Sequence, residues 1–133
     1  SPKLYFLDTG LASFLTKWQS PETLRAGAMA GAIFETFVIS ELIKSYFFRG
    51  EAPPFFFFRD KEGHEIDLLI EKEQTLYPVE IKLASQIKSD DAYNIQYLRK
   101  KIPHLANGTI ISLSQTPRPL DKQTQVLSLS SLQ

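Results

Sequence analysis

Two acidic residues at matching positions of neighbouring strand-like segments are the first candidates for chemistry. Glu65–Glu71 and Leu76–Ala84 both alternate between apolar and polar residues, and a polar turn at Glu73-Gln74 separates them. In a hairpin centred on that turn, Asp67 lies directly opposite Glu80. Their Cβ atoms would then be about 4.5–5.5 Å apart, where like charges destabilise a strand pair. A divalent cation bound by both carboxylates reverses this effect, so the pair indicates a Mg²⁺ or Mn²⁺ site.

Lys82 and Glu35 are further candidates for the same site. Lys82 follows Glu80 by two residues, so the two side chains share one face of the strand. Its ammonium would stabilise charge on a phosphate group or position an attacking water. Glu35 lies in a long helical pattern among apolar helical-wheel neighbours, where an unpaired carboxylate is costly. It therefore requires a partner, either a metal ion shared with the other acids or an Arg or Lys side chain.

A structural interpretation of these residues stays open. Asp67, Glu80 and Lys82 also fit the solvated face of a one-sided sheet, in which Lys82 pairs with one of the acids. Pro78 has no amide hydrogen and often marks a bulge, which leaves the strand register open. The tripeptide Glu80-Ile81-Lys82 has a pattern, acid–x–lysine, that is expected about once by chance in a chain of this length.

Other conspicuous residues receive structural interpretations. His64 is expected to face solvent in a tight turn, and His104 is expected to be a dipole-compatible cation at a helix end. The run Phe55–Phe58 is too short for a helix and is predicted to be a core strand buried on both faces. Arg99–Lys101 is interpreted as a cap of the preceding helix, with DNA phosphates as the alternative partner.

The candidate residues need a sheet and helices to position them. The order of patterns predicts an α/β (α+β) domain in which helices flank a mixed central sheet. Ahead of this domain pattern, Lys3–Leu7 is strand-like and Leu11–Trp18 is helical. The predicted helices are Ala28–Phe48 and Asp90–Ile102, and the predicted strands are Phe55–Phe58, Glu65–Glu71, Leu76–Ala84 (with Val79–Ala84 in the sheet), Thr109–Leu113 and Gln125–Leu129.

Composition limits the classes of function. The 133 residues suit a single domain, and 15 basic residues balance 15 acidic ones, so no overall field attracts DNA or a membrane surface. The chain has no cysteine, which excludes disulfides and thiolate zinc sites and fits a reducing cytoplasm. No apolar run reaches membrane-spanning length, and no Walker-type loop provides an ATP site. Because an initiator Met is missing, we expect the chain to be a piece of a longer protein.

Five ordered blocks carry a family resemblance. The chain resembles the C-terminal domain of unknown function 4143 of prokaryotic AAA-type P-loop ATPases, and that domain is similar to the PD-(D/E)xK, or restriction-endonuclease-like, nuclease superfamily. The resemblance covers roughly residues 3–115. The blocks are Lys3–Leu11 (KLYFLDTGL), Gly31–Leu42 (GAIFETFVISEL), Phe58–Asp60 (FRD), Gly63–Ile70 (GHEIDLLI) and Pro78–Lys82 (PVEIK).

The resemblance implies roles for individual residues. Glu35 would be the acid of the first core helix, Asp67 the metal-binding acid, and Glu80 and Lys82 the final pair, with the Ile81 carbonyl as a further metal ligand. Here Asp67 follows an isoleucine, not a proline, which the superfamily tolerates. The resemblance also implies that an ATPase domain and a winged helix precede this segment, with residues 1–18 as the tail of the winged-helix region.

Two functions of different classes follow. The first is a Mg²⁺- or Mn²⁺-dependent nuclease that cleaves DNA, with Lys88 and Arg99–Lys101 binding flanking phosphates and giving a weak, salt-dependent affinity. The alternative is a catalytically silent module that uses the nuclease scaffold to bind DNA, its own ATPase or a second copy in a homo-oligomer. Binding of Mg²⁺ or Mn²⁺ discriminates between them.

Overall fold

The computed structural model describes residues 28–114 and 116–129. The expected strand Lys3–Leu7, the helix Leu11–Trp18 and the winged-helix tail 1–18 lie outside this range. The chain divides near Pro53 into two compact units, each of which is described by itself.

The first unit contains one long helix, α1 (Ala28–Phe48), with the bounds that the sequence predicts. No proline interrupts its 21 residues, and its buried side chains recur at helical spacing at Ala30, Phe34, Phe37 and Val38. The helix ends where Gly50 adopts a positive φ of 72° and its amide donates to the carbonyl of Phe47.

The second unit is built on a six-stranded mixed sheet. Strands β1, β2 and β3 form an antiparallel meander; a crossover through a 3₁₀-helix and helix α2 leads to β4, which pairs parallel with β3. Strand β6 is parallel to β4, and β5 is antiparallel to β6, so the strand order is β1-β2-β3-β4-β6-β5. The elements are β1 (Phe55–Arg59), β2 (Glu65–Lys72), β3 (Thr75–Lys82), the 3₁₀-helix (Ser89–Ala92), α2 (Tyr93–Lys101), β4 (Gly108–Ser112), β5 (Arg118–Asp121) and β6 (Thr124–Ser128). The predicted α+β domain with a mixed sheet is confirmed, and α2 packs against that sheet.

Helix α2 covers one face of the sheet. Its fully buried Ile95 and Leu98 belong to one apolar cluster with Ile110 of β4 and Val126 of β6. The approach of helix and sheet is close, since a Cβ placed on Gly108 would lie 3.0 Å from Ile95 Cδ1. A glycine at the start of β4 therefore allows the helix to pack directly on the strand.

Several predicted elements differ in detail. The expected strand Leu76–Ala84 begins one residue earlier and ends at Lys82, and the expected helix Asp90–Ile102 is a 3₁₀-turn followed by the shorter α2. Burial of Phe55–Phe58 on both faces is wrong: Phe56 and Phe57 are 49% and 46% exposed. The reason is that β1 is an edge strand of the sheet that the structure describes.

The sequence pattern does not predict strand β5. It has four residues, includes Pro119 and lies at the other edge of the described sheet. A proline is tolerated there because an edge strand has amide positions without a ladder partner.

Candidate functional site

The hairpin of β2 and β3 has the register that the sequence predicts. Glu73 and Gln74 form its two-residue loop, with positive φ values of 53° and 65°. Positive φ at both positions is typical of two-residue hairpin loops, because the twist of such a turn matches that of the flanking strands. The paired residues run from Lys72 opposite Thr75 to Leu68 opposite Val79. The next step along both strands brings Asp67 and Glu80 together.

Asp67 and Glu80 exchange hydrogen bonds across the two strands. The Asp67 amide donates to Glu80 Oε1 at 2.9 Å, and the Ile81 amide donates to Asp67 Oδ2 at 2.8 Å. Each carboxylate is therefore held by a backbone N–H of the opposite strand. Glu80 is buried, with 3% of its surface exposed, and Asp67 is half-buried.

A β-bulge in β2 lies at Asp67. On its other side β2 pairs with β1, where Leu69 lies opposite Phe56 and Ile66 opposite Phe58, so Asp67 and Leu68 together face one residue of β1. Ile66 and Leu69 consequently belong to the same core cluster. The alternating pattern of Glu65–Glu71 predicts Ile66 and Leu68 on one face and Asp67 and Leu69 on the other. This prediction is wrong at Asp67, because the extra residue of the bulge shifts the alternation by one position.

Lys82 is the last residue of β3 and is half-buried. In the parallel register it lies beside Ser112 of β4, which in turn lies beside Ser128 of β6, and both serines are buried. Within residues 28–114 and 116–129, Lys82 makes no ion pair. The structural alternative in which Lys82 pairs with Asp67 or Glu80 is therefore not realised.

Glu35 lies in α1 and is half-buried. Its neighbours Phe34, Val38 and Ile39 are buried, which agrees with the apolar setting inferred from the helical wheel. Because α1 and the sheet belong to different units, convergence of Glu35 with Asp67 and Glu80 stays a prediction, as does the role of the Ile81 carbonyl as a metal ligand.

A second polar group, the turn cluster of Asp60, His64 and Tyr97, was missed at the sequence level. Asp60 Oδ1 accepts the amides of Glu62 and His64, at 3.0 and 2.9 Å. Asp60 Oδ2 accepts the Tyr97 hydroxyl at 2.8 Å and lies 3.1 Å from His64 Nδ1. The expected tight turn is confirmed, with Gly63 at a φ of 91°. The prediction that His64 faces solvent is wrong, because its ring stacks on Tyr97 at 3.7 Å and its side chain is only 19% exposed.

The hydrogen bonds of the turn cluster change the pKa of Asp60. Burial raises this pKa, but hydrogen bonds from Tyr97 and His64 outweigh burial and lower it to about 2. Lys101 stands over the Tyr97 ring at 4.8 Å, and hydrogen bonding to Tyr97 raises the pKa of its ammonium. A periodic sequence signal did exist, because Tyr93, Tyr97 and Lys101 share one face of α2.

The basic residues in the last turn of α2 lie where the helix dipole favours cations, but Arg99 binds the loop after the helix and not the helix's own carbonyls. Arg99 donates to the carbonyl oxygens of Leu105 and Ala106, at 2.6 and 3.0 Å. Lys100 and His104 are exposed. No helix of the described residues is long and apolar enough to cross a membrane.

Residues 30–132 match the model of the domain of unknown function DUF4143. The comparison with curated proteins finds no match. A solved structure, the half-complex from the tetradecameric assembly of Thermococcus gammatolerans McrB AAA+ hexamers with bound McrC, is similar with a TM-score of 0.48 and 15% identity. The similarity covers 74% of this chain and 27% of that one.

Proposed function

The chain belongs to the DUF4143 family, and from that premise we propose that it is a nuclease-type phosphodiesterase that depends on Mg²⁺ or Mn²⁺ and acts on DNA. One observation carries the proposal: Asp67 and Glu80 face each other on neighbouring strands and are held there by backbone amides. The same premise, with the resemblance of the sequence to ATPase-linked domains, favours an AAA-type ATPase domain as the partner in the same protein.

The donor set suits a hard divalent cation. Asp67 and Glu80 supply carboxylate oxygens from two directions, and Mg²⁺ and Mn²⁺ prefer such ligands. In the hydrogen-bond exchange Asp67 accepts through Oδ2 and Glu80 accepts through Oε1. The Ile81 carbonyl and Glu35 would complete the protein ligands. When bound, such an ion polarises a phosphoryl oxygen and lowers the pKa of water.

Lys82 supplies the positive charge of the proposed site. It shares a strand face with Glu80 and carries no ion pair with another described residue. A half-buried ammonium without a neutralising acid favours binding of an anion such as a phosphate. In the proposed reaction Lys82 orients the attacking water and offsets the charge that develops on the phosphate.

DNA contacts outside the site depend on exposed lysines. Lys88, Lys100 and Lys101 are exposed, whereas the guanidinium of Arg99 is engaged with backbone carbonyls. Few phosphate contacts and zero net charge predict weak binding, and because each contact releases counterions from the DNA, the affinity falls as the salt concentration rises.

A cleavage assay tests the proposal. Plasmid and branched DNA are incubated with Mg²⁺ or Mn²⁺ and either wild type, Asp67→Ala, Asp67→Asn or Lys82→Ala, with Glu71→Ala as the matched control on β2. We expect cleavage by wild type and the control and its loss in the other variants, with circular dichroism confirming the fold. Activity that persists in Asp67→Asn would contradict the assignment of the site.

A second candidate function is the silent binding module. The observation that favours it is that both acids already serve as hydrogen-bond acceptors between β2 and β3, a structural role that needs no cation. Calorimetric titration with Mn²⁺ separates the two candidates. Absence of binding, together with absence of cleavage in every DNA substrate, favours a module that contacts DNA, its own ATPase or a second copy.

A further inference from the structure

We infer that Asp67 and Glu80 form a clasp that fastens β2 to β3 through hydrogen-bond acceptance, independently of their negative charge. The carboxylate clasp, as we name these two side chains with the amides of Asp67 and Ile81, positions the acids of the proposed site. Only the effect of the clasp on cation binding rests on the proposed function. The two hydrogen bonds of the clasp exist in the chain without any ion.

The clasp begins where regular strand pairing ends. The paired residues stop at Leu68 and Val79, next to the bulge in β2. Continued alternation would bond the Ile81 amide to β2 through the backbone of Ile66. In the structure this amide donates to the Asp67 carboxylate. The side chain therefore replaces a ladder bond at the point where the bulge displaces the backbone.

The two hydrogen bonds depend on each other. Glu80 on β3 accepts from β2, and Asp67 on β2 accepts from β3, at 2.9 and 2.8 Å. Loss of the Glu80 acceptor releases the Asp67 amide and with it the backbone that carries the Asp67 carboxylate. Since Glu80 is buried, water does not readily replace its oxygen. The two acids should therefore act as one unit in a double-mutant cycle.

Substitution by amide side chains separates the hydrogen-bond acceptance of the two acids from their negative charge. Asn and Gln keep a carbonyl oxygen of nearly the same shape and position as one carboxylate oxygen, but they carry no charge. Asp67→Asn and Glu80→Gln should therefore preserve the clasp and weaken divalent-cation binding. Asp67→Ala and Glu80→Ala remove both properties.

Amide hydrogen exchange of the 133-residue chain, resolved by NMR, tests the clasp. In Glu80→Ala we expect the Asp67 amide to exchange at least about tenfold faster than in wild type, and in Asp67→Ala the Ile81 amide likewise. In Glu80→Gln and Asp67→Asn both amides should stay within about threefold of wild type. Glu71→Ala, an exposed acid of the same strand, is the control and should change neither amide. Equal acceleration in Gln and Ala variants at position 80 would overturn the inference.

A parallel Mn²⁺ titration keeps the inference separate from the proposed function. Wild type that binds Mn²⁺, with Glu80→Gln protected from exchange but unable to bind, supports both. If wild type does not bind Mn²⁺ while the amide protection follows the expected pattern, the clasp stands and the proposed function fails. If Mn²⁺ binds but Glu80→Gln loses protection as Glu80→Ala does, the clasp is wrong and the proposed function is unaffected.

Discussion

The turn cluster and the carboxylate clasp use carboxylates in opposite ways. Asp60 accepts from two amides of its own five-residue turn and is completed by Tyr97 and His64. Asp67 and Glu80 accept amides that lie 14 and 13 residues away, respectively, on the facing strand. The first group is a local turn fastened to α2, whereas the second exists only because two strands meet in one register.

The two regions differ in their suitability for a divalent cation, which we propose to bind at the clasp. Ligand atoms of Asp60, Glu62 and His64 lie within 4.8 Å of one another, so distance alone would allow a metal ion there. However, both oxygens of Asp60 already accept hydrogen bonds, and Glu62 is largely exposed. In the clasp, the sheet places two acids on facing strands, and the proposed divalent cation would relieve the repulsion between their charges.

The largest effect expected from this comparison is on DNA cleavage. Asp67→Asn should reduce the cleavage rate by at least about 10²-fold, since a metal ligand contributes several kcal/mol to transition-state stabilisation. Tyr97→Phe, which removes one hydrogen bond of the turn cluster, should leave the rate within about twofold of wild type. Initial rates with Mg²⁺ on one DNA substrate measure both. A comparable loss in Tyr97→Phe would show that the two regions are not independent.

A smaller effect is expected on stability at the clasp. Glu80→Ala should lower the free energy of unfolding by about 2–4 kcal/mol, because it leaves a buried amide without its acceptor and removes buried side-chain contacts. Glu80→Gln should cost only about 1 kcal/mol, since the acceptor oxygen remains. Urea denaturation followed by circular dichroism gives both values. Stabilisation by Glu80→Ala would indicate that charge repulsion outweighs the hydrogen bond.

The fold could be predicted from sequence where local signals determine it. A two-residue turn at Glu73-Gln74 sets the register of β2 and β3, and Gly50 with the prolines after it sets the end of α1. The bulge at Asp67 could not be predicted, because it depends on how β1 pairs with the far side of β2. Exposure of Phe56 and Phe57 likewise depends on their place at a sheet edge, which an apolar run does not encode.

The candidate site follows the same rule. Asp67 and Glu80 could be found because one short hairpin brings them together, and Lys82 because it shares a strand with Glu80. The Asp60–Tyr97 contact joins residues 37 positions apart, because α2 packs against the turn between β1 and β2. No sequence period connects such residues, which is why the sequence alone predicts a solvent-facing His64 although its ring stacks on Tyr97.

The turn cluster should contribute less to stability than the clasp. Tyr97→Phe removes the hydroxyl that Asp60 Oδ2 accepts, but the two amide bonds to Asp60 Oδ1 remain. We therefore expect a fall in the urea midpoint that is smaller than that of Glu80→Ala. Tyr93→Phe is the matched control, since Tyr93 is 59% exposed and its ring lies 6.0 Å from His64. An unchanged midpoint in Tyr97→Phe would mean that the hydroxyl contact adds nothing to folding.

The smallest effect is a pH dependence carried by Asp60. Burial raises its pKa, but hydrogen bonds from Tyr97 and His64 lower the folded-state value from 3.8 to about 2. A folded-state pKa below the unfolded one gives stability that is complete above about pH 4 and is lost as the pH falls towards 2.

Asp60→Asn lacks this contribution, so its free energy of unfolding should fall less steeply than that of wild type between pH 4 and pH 2. Urea titrations across this interval measure the two slopes, and Asp90→Asn, at an exposed acid of the 3₁₀-helix, accounts for the general loss of one carboxylate. Equal slopes in wild type and Asp60→Asn would show that the turn cluster binds the protonated and ionised carboxyl equally well, and the contrast with the clasp would then rest on geometry alone.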